Sequence, residues 1–185
     1  FKKFISYGYI KTGIKLVKPT SDGENLKIES INDKIGSKMA RSLFKLSFNN
    51  RNDNISLNIN PEDFKRVANF ESKVEYGDNG AISLIDKNVN INLDKVNQIG
   101  YLGIDPRTFG VGMILAHEFS HQFIAKNDKT SKDNPRGTTV DFINIMRSQM
   151  KLPKRLHYKP IPNVVSPSKE IILFEGGRAI LPISE

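Results

Sequence analysis

Apolar and polar residues alternate over several short stretches in the first half of the chain, with turn-forming residues between them. Leu43-Phe44-Lys45-Leu46-Ser47-Phe48 alternates imperfectly and Ile55-Ser56-Leu57-Asn58-Ile59 cleanly. A period of two places one face on a core, so both stretches are predicted strands. Asn60-Pro61-Glu62-Asp63 has the chemistry of a helix start: a capping Asn, Pro in the first turn and acids near the positive end. It predicts a helix to about Ser72. Val74 to Tyr76 and Ala81 to Ile85 flank Gly77-Asp78-Asn79-Gly80, a hairpin signal, and Val89-Asn90-Ile91-Asn92-Leu93 alternates as a further strand.

From Asp105-Pro106 the period becomes helical and continues to about Lys126. The charged stretch from Lys126 to Arg136 contains Asn134-Pro135 and reads as an exposed loop. Thr138 to Met150 is a predicted helix with an apolar stripe of Val140, Ile143, Met146 (or Ile145) and Met150. After it come Pro153, Pro160, Pro162 and Pro167, which predict irregular structure. A last hairpin is expected, Glu170 to Phe174 and Arg178 to Leu181, turning at Glu175-Gly176-Gly177. There is no repeat and no linker. The expectation is one α+β domain over residues 1–185: mainly strands with one helix over 1–95, helices over 105–150, and an irregular 151–185 with its hairpin.

Length and composition agree with this: 185 residues can bury a core of their own. No apolar run approaches the roughly 20 residues that span a bilayer, so no membrane span is expected. The chain opens Phe1-Lys2-Lys3 without Met, which suggests a processed piece or a cut-out domain. Twenty-eight basic residues against twenty acidic ones give +8, a balance that favours acidic partners. The basic residues are dispersed, with no run of five, so no specific nucleic-acid binding is expected. With no Cys, disulfides, zinc ribbons and thiol nucleophiles are excluded.

Chemistry concentrates at His117-Glu118-Phe119-Ser120-His121, an H-E-x-x-H pattern that uses two of only three histidines. Residues four apart share one helix face, so both imidazoles can reach one metal ion. The Glu beside the first His can take a proton from metal-bound water, which zinc acidifies towards a pKa of about 7. The flanks Ile114-Leu115-Ala116 and Gln122-Phe123-Ile124 are uncharged, as a buried metal-binding helix requires. A catalytic zinc takes three protein ligands and keeps one position open. Asp141, near the start of the next helix, is the first candidate for the third. Two alternatives stay open. Asp141 can instead complete a capping box with Thr138, and His157 can supply the third ligand. Tyr158 can donate a hydrogen bond to a developing oxyanion, or simply pack.

Ile114 to Phe123 resembles the active-site helix of zincin metallopeptidases, and Gly137-Thr138-Thr139-Val140-Asp141 resembles the third-ligand G-T-x-x-D motif of the aspzincins. The run from Val140 to Arg147, with Leu152-Pro153-Lys154-Arg155 and Tyr158, is similar to bacterial effector peptidases and to metallopeptidase domains ending Rhs-type polymorphic toxins. The similarity covers residues 89–158. It departs from the toxins at Thr138 and Thr139, where acids are common, and from the aspzincins in lacking the Tyr-Gly after their Asp. It implies a zincin-like fold, a small twisted sheet packed on the H-E-x-x-H helix with a second helix closing the site. It further implies a zinc metallopeptidase with His117, His121 and Asp141 as ligands and Glu118 and Tyr158 as catalytic groups. A protein or peptide substrate, an acidic immunity or inhibitor protein, and secretion or delivery into a target cell complete the expectation. The alternatives are a catalytically silent zincin-fold binding module and a basic DNA-associated protease.

Overall fold

The structure is a computed structural model, which describes residues 14–17, 27–49, 53–61, 66–76, 82–124, 126–162 and 168–182. Strands β1 (Ile14–Val17) and β2 (Lys27–Ile31) form an antiparallel pair. Helix α1 (Lys38–Asn49) follows, then β3 (Asp53–Ile59), β4 (Ala68–Tyr76) and β5 (Ile82–Ile91). These three strands make a sheet of order β3-β5-β4, in which β5 runs parallel to β3 and antiparallel to β4. Next come a short helix α2 (Leu93–Asn97), strand β6 (Gly100–Leu102) and a 3-10 turn (Pro106–Phe109), leading into α3 (Val111–Phe123) and α4 (Gly137–Gln149). The chain ends in β7 (Ile161–Pro162), β8 (Lys169–Phe174) and β9 (Gly177–Pro182), which with β6 form an antiparallel sheet of order β6-β9-β8-β7. The architecture is therefore mixed α+β, with small and mostly antiparallel sheets.

Two expected elements change type. Leu43 to Phe48 lies inside helix α1 rather than a strand. Ala40, Leu43 and Phe44 are buried while Ser42, Lys45 and Leu46 are exposed, a period of 3.6 that becomes visible only when the window starts upstream. Ser37 caps the helix through a 3.1 Å bond from the Ala40 amide, and Gln149 of α4 accepts from the Met39 amide. The helix expected from Asn60 to Ser72 is contradicted over its second half, where β4 begins at Ala68. Residues 62–65 lie outside the described part. Pairing with a distant strand overrides the local signal: Phe70 opposes Val89 and Val74 opposes Ile85. The expected strands from Ala81 and from Val89 are one continuous β5.

An asparagine ladder pins the register of this sheet. Asn58 donates to Asn90 at 2.8 Å, and Asn90 donates to Asn69 at 2.9 Å, joining all three strands at one level. Asn92 ends β5 and caps α2, its side chain accepting from the Lys95 amide at 2.9 Å.

Helix α3 is central. It packs against β4 and β5 on the sheet side and against α1 and α4 on the helix side. Met113, Ile114, Leu115 and Phe119 are buried, and Phe119 meets Phe44 of α1 with ring centroids 5.6 Å apart. The single expected helix from Asp105 to Lys126 is divided at Gly110. Asp105-Pro106 starts a 3-10 turn, and Gly110 then serves as the N-cap of α3. In α4 the stripe is Val140, Ile143 and Met146, all buried, whereas Ile145 faces solvent. The C-terminal hairpin forms as expected, with Gly176 at φ 76° in its turn. Among the described residues, no helix is long and apolar enough to cross a membrane.

Candidate metal centre

Packing of α3 on several sides leaves one strip of it half-exposed, and His117, Glu118 and His121 lie there. The two imidazoles sit one turn apart, edge to face, with ring centroids 4.9 Å apart. Ser120, fully buried, turns its hydroxyl back to donate to the His117 carbonyl at 2.7 Å.

Beyond α3 the chain doubles back and brings Asp128 to the histidines. His121 Nε2 is 3.0 Å from Asp128 Oδ2, and His117 Nε2 is 3.3 Å from Oδ1. The ligand atoms of His117, His121 and Asp128 all lie within 4.8 Å of one another. His121 Nδ1 donates to the Lys126 carbonyl at 2.9 Å. A carbonyl only accepts, so Nδ1 carries the hydrogen and the neutral ring turns its Nε2 lone pair to Asp128. A lone pair and a carboxylate facing each other at this distance require a proton or a cation between them. The donor set, two imidazole nitrogens and a carboxylate, could hold a metal ion. Asp128 Oδ1 is also buried without a hydrogen-bond partner, as an oxygen reserved for a metal would be.

The loop is held by the residues that resembled a ligand motif. Thr138 Oγ1 accepts from the Asn127 amide and donates to the Asn127 carbonyl, both at 3.1 Å. The same carbonyl accepts from the Thr139 amide at 3.2 Å. Gly137 has φ 72°, and a Cβ there would stand 3.1 Å from the Lys129 carbonyl oxygen and 3.3 Å from the Asp128 carbonyl carbon. Gly137-Thr138-Thr139 thus grips the backbone on both sides of Asp128.

Asp141 is not brought to the histidines. Its Oδ1 accepts from Arg136 Nε at 2.5 Å and its Oδ2 from Asn134 at 2.9 Å, and it borders a surface cleft with Ile145, Lys154 and Leu156. The structure does not bring this expected ligand to the imidazoles: its carboxylate is engaged by a guanidinium and an amide, and Asp128 lies beside the two histidines instead. Nor does Asp141 complete a capping box with Thr138, whose hydroxyl bonds to Asn127 instead; the Arg136 and Gly137 amides at the start of α4 donate to the Asn134 side chain. His157 is exposed and stands outside the cluster.

Tyr158 does reach the site. Its ring stacks on His117, 6.1 Å between centroids and 7° from parallel, and its phenol interacts with Asp128. A buried framework holds it there. Asn144 of α4 donates to the Arg155 carbonyl at 2.9 Å and accepts from the Arg155 amide at 2.8 Å. Arg147 donates to Asn144 Oδ1 and to the Thr108 carbonyl, both at 3.0 Å. Arg155 itself, 6% exposed, donates from Nε to the His157 carbonyl at 2.8 Å and from NH2 to the Tyr158 carbonyl.

Electrostatics differentiate these groups. Burial pushes the Glu118 carboxyl up to about 7, although His121 opposes the shift. Burial lowers His117, whereas the bond to Asp128 raises His121 despite its burial. Burial would also raise Asp128, but the bonds from His117 and His121 outweigh it and hold this carboxyl well below the usual range. Tyr158 is pushed up to about 12, first by burial and then by the Asp128 charge, so its phenol stays a donor at neutral pH.

The chain matches no family model, and neither a curated protein nor a solved structure matches it. Asp128 is the residue that sequence reasoning missed. The available signal was its nearness: it lies seven residues past His121, in the first segment able to fold back over the helix end.

Proposed function

We propose that the chain is a zinc-dependent metallopeptidase with a zincin-like arrangement, in which His117, His121 and Asp128 hold the metal. The observation that carries this reading is the convergence of two imidazole Nε2 atoms and the Asp128 carboxylate beside Glu118 and Tyr158. Zinc at that position supplies a Lewis acid and an acidified water near neutral pH. Glu118 is the base: it takes the proton of the attacking water and returns it to the leaving nitrogen. Burial raises its carboxyl above the usual Glu range, which strengthens it as a base. Tyr158 donates its phenolic hydrogen to the oxygen that becomes negative as the carbonyl is attacked. The Lys126 carbonyl keeps His121 in the tautomer that offers Nε2. The net charge of +8 supports an acidic partner, such as an inhibitor or immunity protein.

The test combines metal analysis with a cleavage assay on a diverse peptide library. Wild type is expected to carry one zinc per chain, and His117→Ala or His121→Ala none. Glu118→Gln should keep the zinc and lose roughly 100-fold or more in cleavage rate, because a near-isosteric amide cannot accept the proton. Equal zinc in wild type and both histidine variants, or undiminished cleavage by Glu118→Gln, would overturn the reading.

A further inference from the structure

The mechanism above needs the Tyr158 phenol at a defined place, yet Tyr158 lies in an irregular segment that no helix or long strand holds. The order there comes from Arg155. Its planar guanidinium takes two successive carbonyls, those of His157 and Tyr158, from one side. That forces the backbone to curl around the head group and carries the Tyr158 ring over its own clamp, 5.4 Å from the guanidinium carbon. The guanidinium also lies against the ring of Phe109, 5.6 Å from its centroid, in the turn that leads into α3.

Asn144 then fixes Arg155 to α4 through both its amide and its carbonyl, as a neighbouring strand would. The Tyr158 amide donates to the Pro135 carbonyl at 3.0 Å, so the same curl also contacts the loop that carries Asp128. No hydrogen bond joins Arg155 to a carboxylate among the described residues. Burying a guanidinium on such terms is costly, and burial pushes it down to about 10. All its donor bonds described here go to the backbone that places one ring.

We propose that Arg155, seated by Asn144, is a positioning residue that sets the Tyr158 ring parallel to His117 and so aims the phenol at the metal centre. The catalytic consequence rests on the metallopeptidase reading; the placement of the ring does not. A ring stacked on His117 shifts the magnetic resonances of that imidazole, and with three histidines in the chain these signals can be assigned singly.

The experiment records histidine side-chain NMR spectra of the full chain for wild type, Tyr158→Leu, Arg155→Met and Arg155→Lys. A His157→Gln variant assigns the neighbouring signal. Both Arg155 variants should move the His117 signals toward their place in Tyr158→Leu and leave His121 where it is, because His121 is held by Lys126. The Lys variant keeps the charge but cannot bridge two carbonyls in one plane, and it stands in if the Met variant does not fold. A folded Arg155 variant whose His117 signals coincide with wild type would overturn the proposal. On a cleaved peptide, Arg155→Met should lower kcat with KM little changed, and should add no further loss to Tyr158→Phe. A multiplicative loss in that double variant would overturn the catalytic part. If wild type cleaves nothing, the metallopeptidase reading fails while the spectra still decide the placement.

Discussion

Two carboxylates lie within one short stretch of chain and meet opposite fates. Asp141, in the first half of α4, has found Arg136 and Asn134, and its side chain is 39% exposed. Asp128, in the loop before that helix, faces an imidazole nitrogen with each of its oxygens, and Oδ1 is buried without a hydrogen bond. Both are aspartates near a histidine-bearing helix, and helix geometry alone favours the first. The difference lies in what each is offered. A guanidinium donates several hydrogen bonds and satisfies a carboxylate outright, whereas imidazoles that present lone pairs leave it in need of a cation.

The sharpest way to break this comparison is to remove each acid in turn and measure zinc affinity by chelator competition. Asp128→Ala should lose at least ~100-fold, beyond the ~10–100-fold that losing an outer-shell partner typically costs. Asp141→Ala should leave affinity essentially unchanged. The reverse ranking would return the ligand role to Asp141.

Gly137→Ala tests whether the grip on the loop matters. At φ 72° an added Cβ is strained and meets the Lys129 carbonyl oxygen at 3.1 Å. A cost of about 1–3 kcal/mol is expected in denaturant melts. Zinc affinity should fall by roughly tenfold, because displacing the loop displaces Asp128. A stability loss with zinc affinity intact would separate the grip from the site.

Glu118 extends the comparison to a third carboxylate, one held neither by a guanidinium nor by the imidazoles. After the metal is stripped, its raised carboxyl makes the neutral form the favoured one in the fold. Its stabilising contribution is complete below the ordinary Glu range and is lost as pH rises towards about 7. Glu118→Gln does not titrate. It should therefore gain on wild type between pH 4.5 and 7, reaching about 3 kcal/mol at pH 8. Denaturant melts across that range check the sign. A constant difference would mean that Glu118 is not desolvated.

The smallest effect is expected on the exposed side. The Arg136–Asp141 pair, with side chains 42% and 39% exposed, should contribute less than about 1 kcal/mol, as a double-variant cycle in melts would show.

Period and spacing located α4 and the last hairpin, where the pattern and the burial coincide, as well as β3 and the helix that carries H-E-x-x-H. They misjudged α1, where Leu43 to Phe48 shows only the end of a helical stripe, and the first half of β4, whose pairing with β5 no local pattern shows. For the site, His117, Glu118 and His121 were legible because one helix turn sets their relation. Asp128 was not, because a charged loop reads as solvated until the chain is seen to fold back. The G-T of the G-T-x-x-D spelling marked the right neighbourhood for a different reason: Gly137 and Thr138 hold the backbone beside the acid rather than introduce one.

The three candidate ligands span only residues 117–128, whereas Tyr158 arrives from beyond α4. Closing so short a loop around a cation would cost little chain entropy, with Thr138 and Thr139 of α4 holding it at Asn127. Tyr158, the hydrogen-bond donor of the proposed mechanism, is placed through Arg155, which Asn144 seats on α4. If the proposed function holds, holding the ion and cleaving a peptide depend on different parts of the chain, and a variant with Arg155 undocked would keep zinc and cleave nothing.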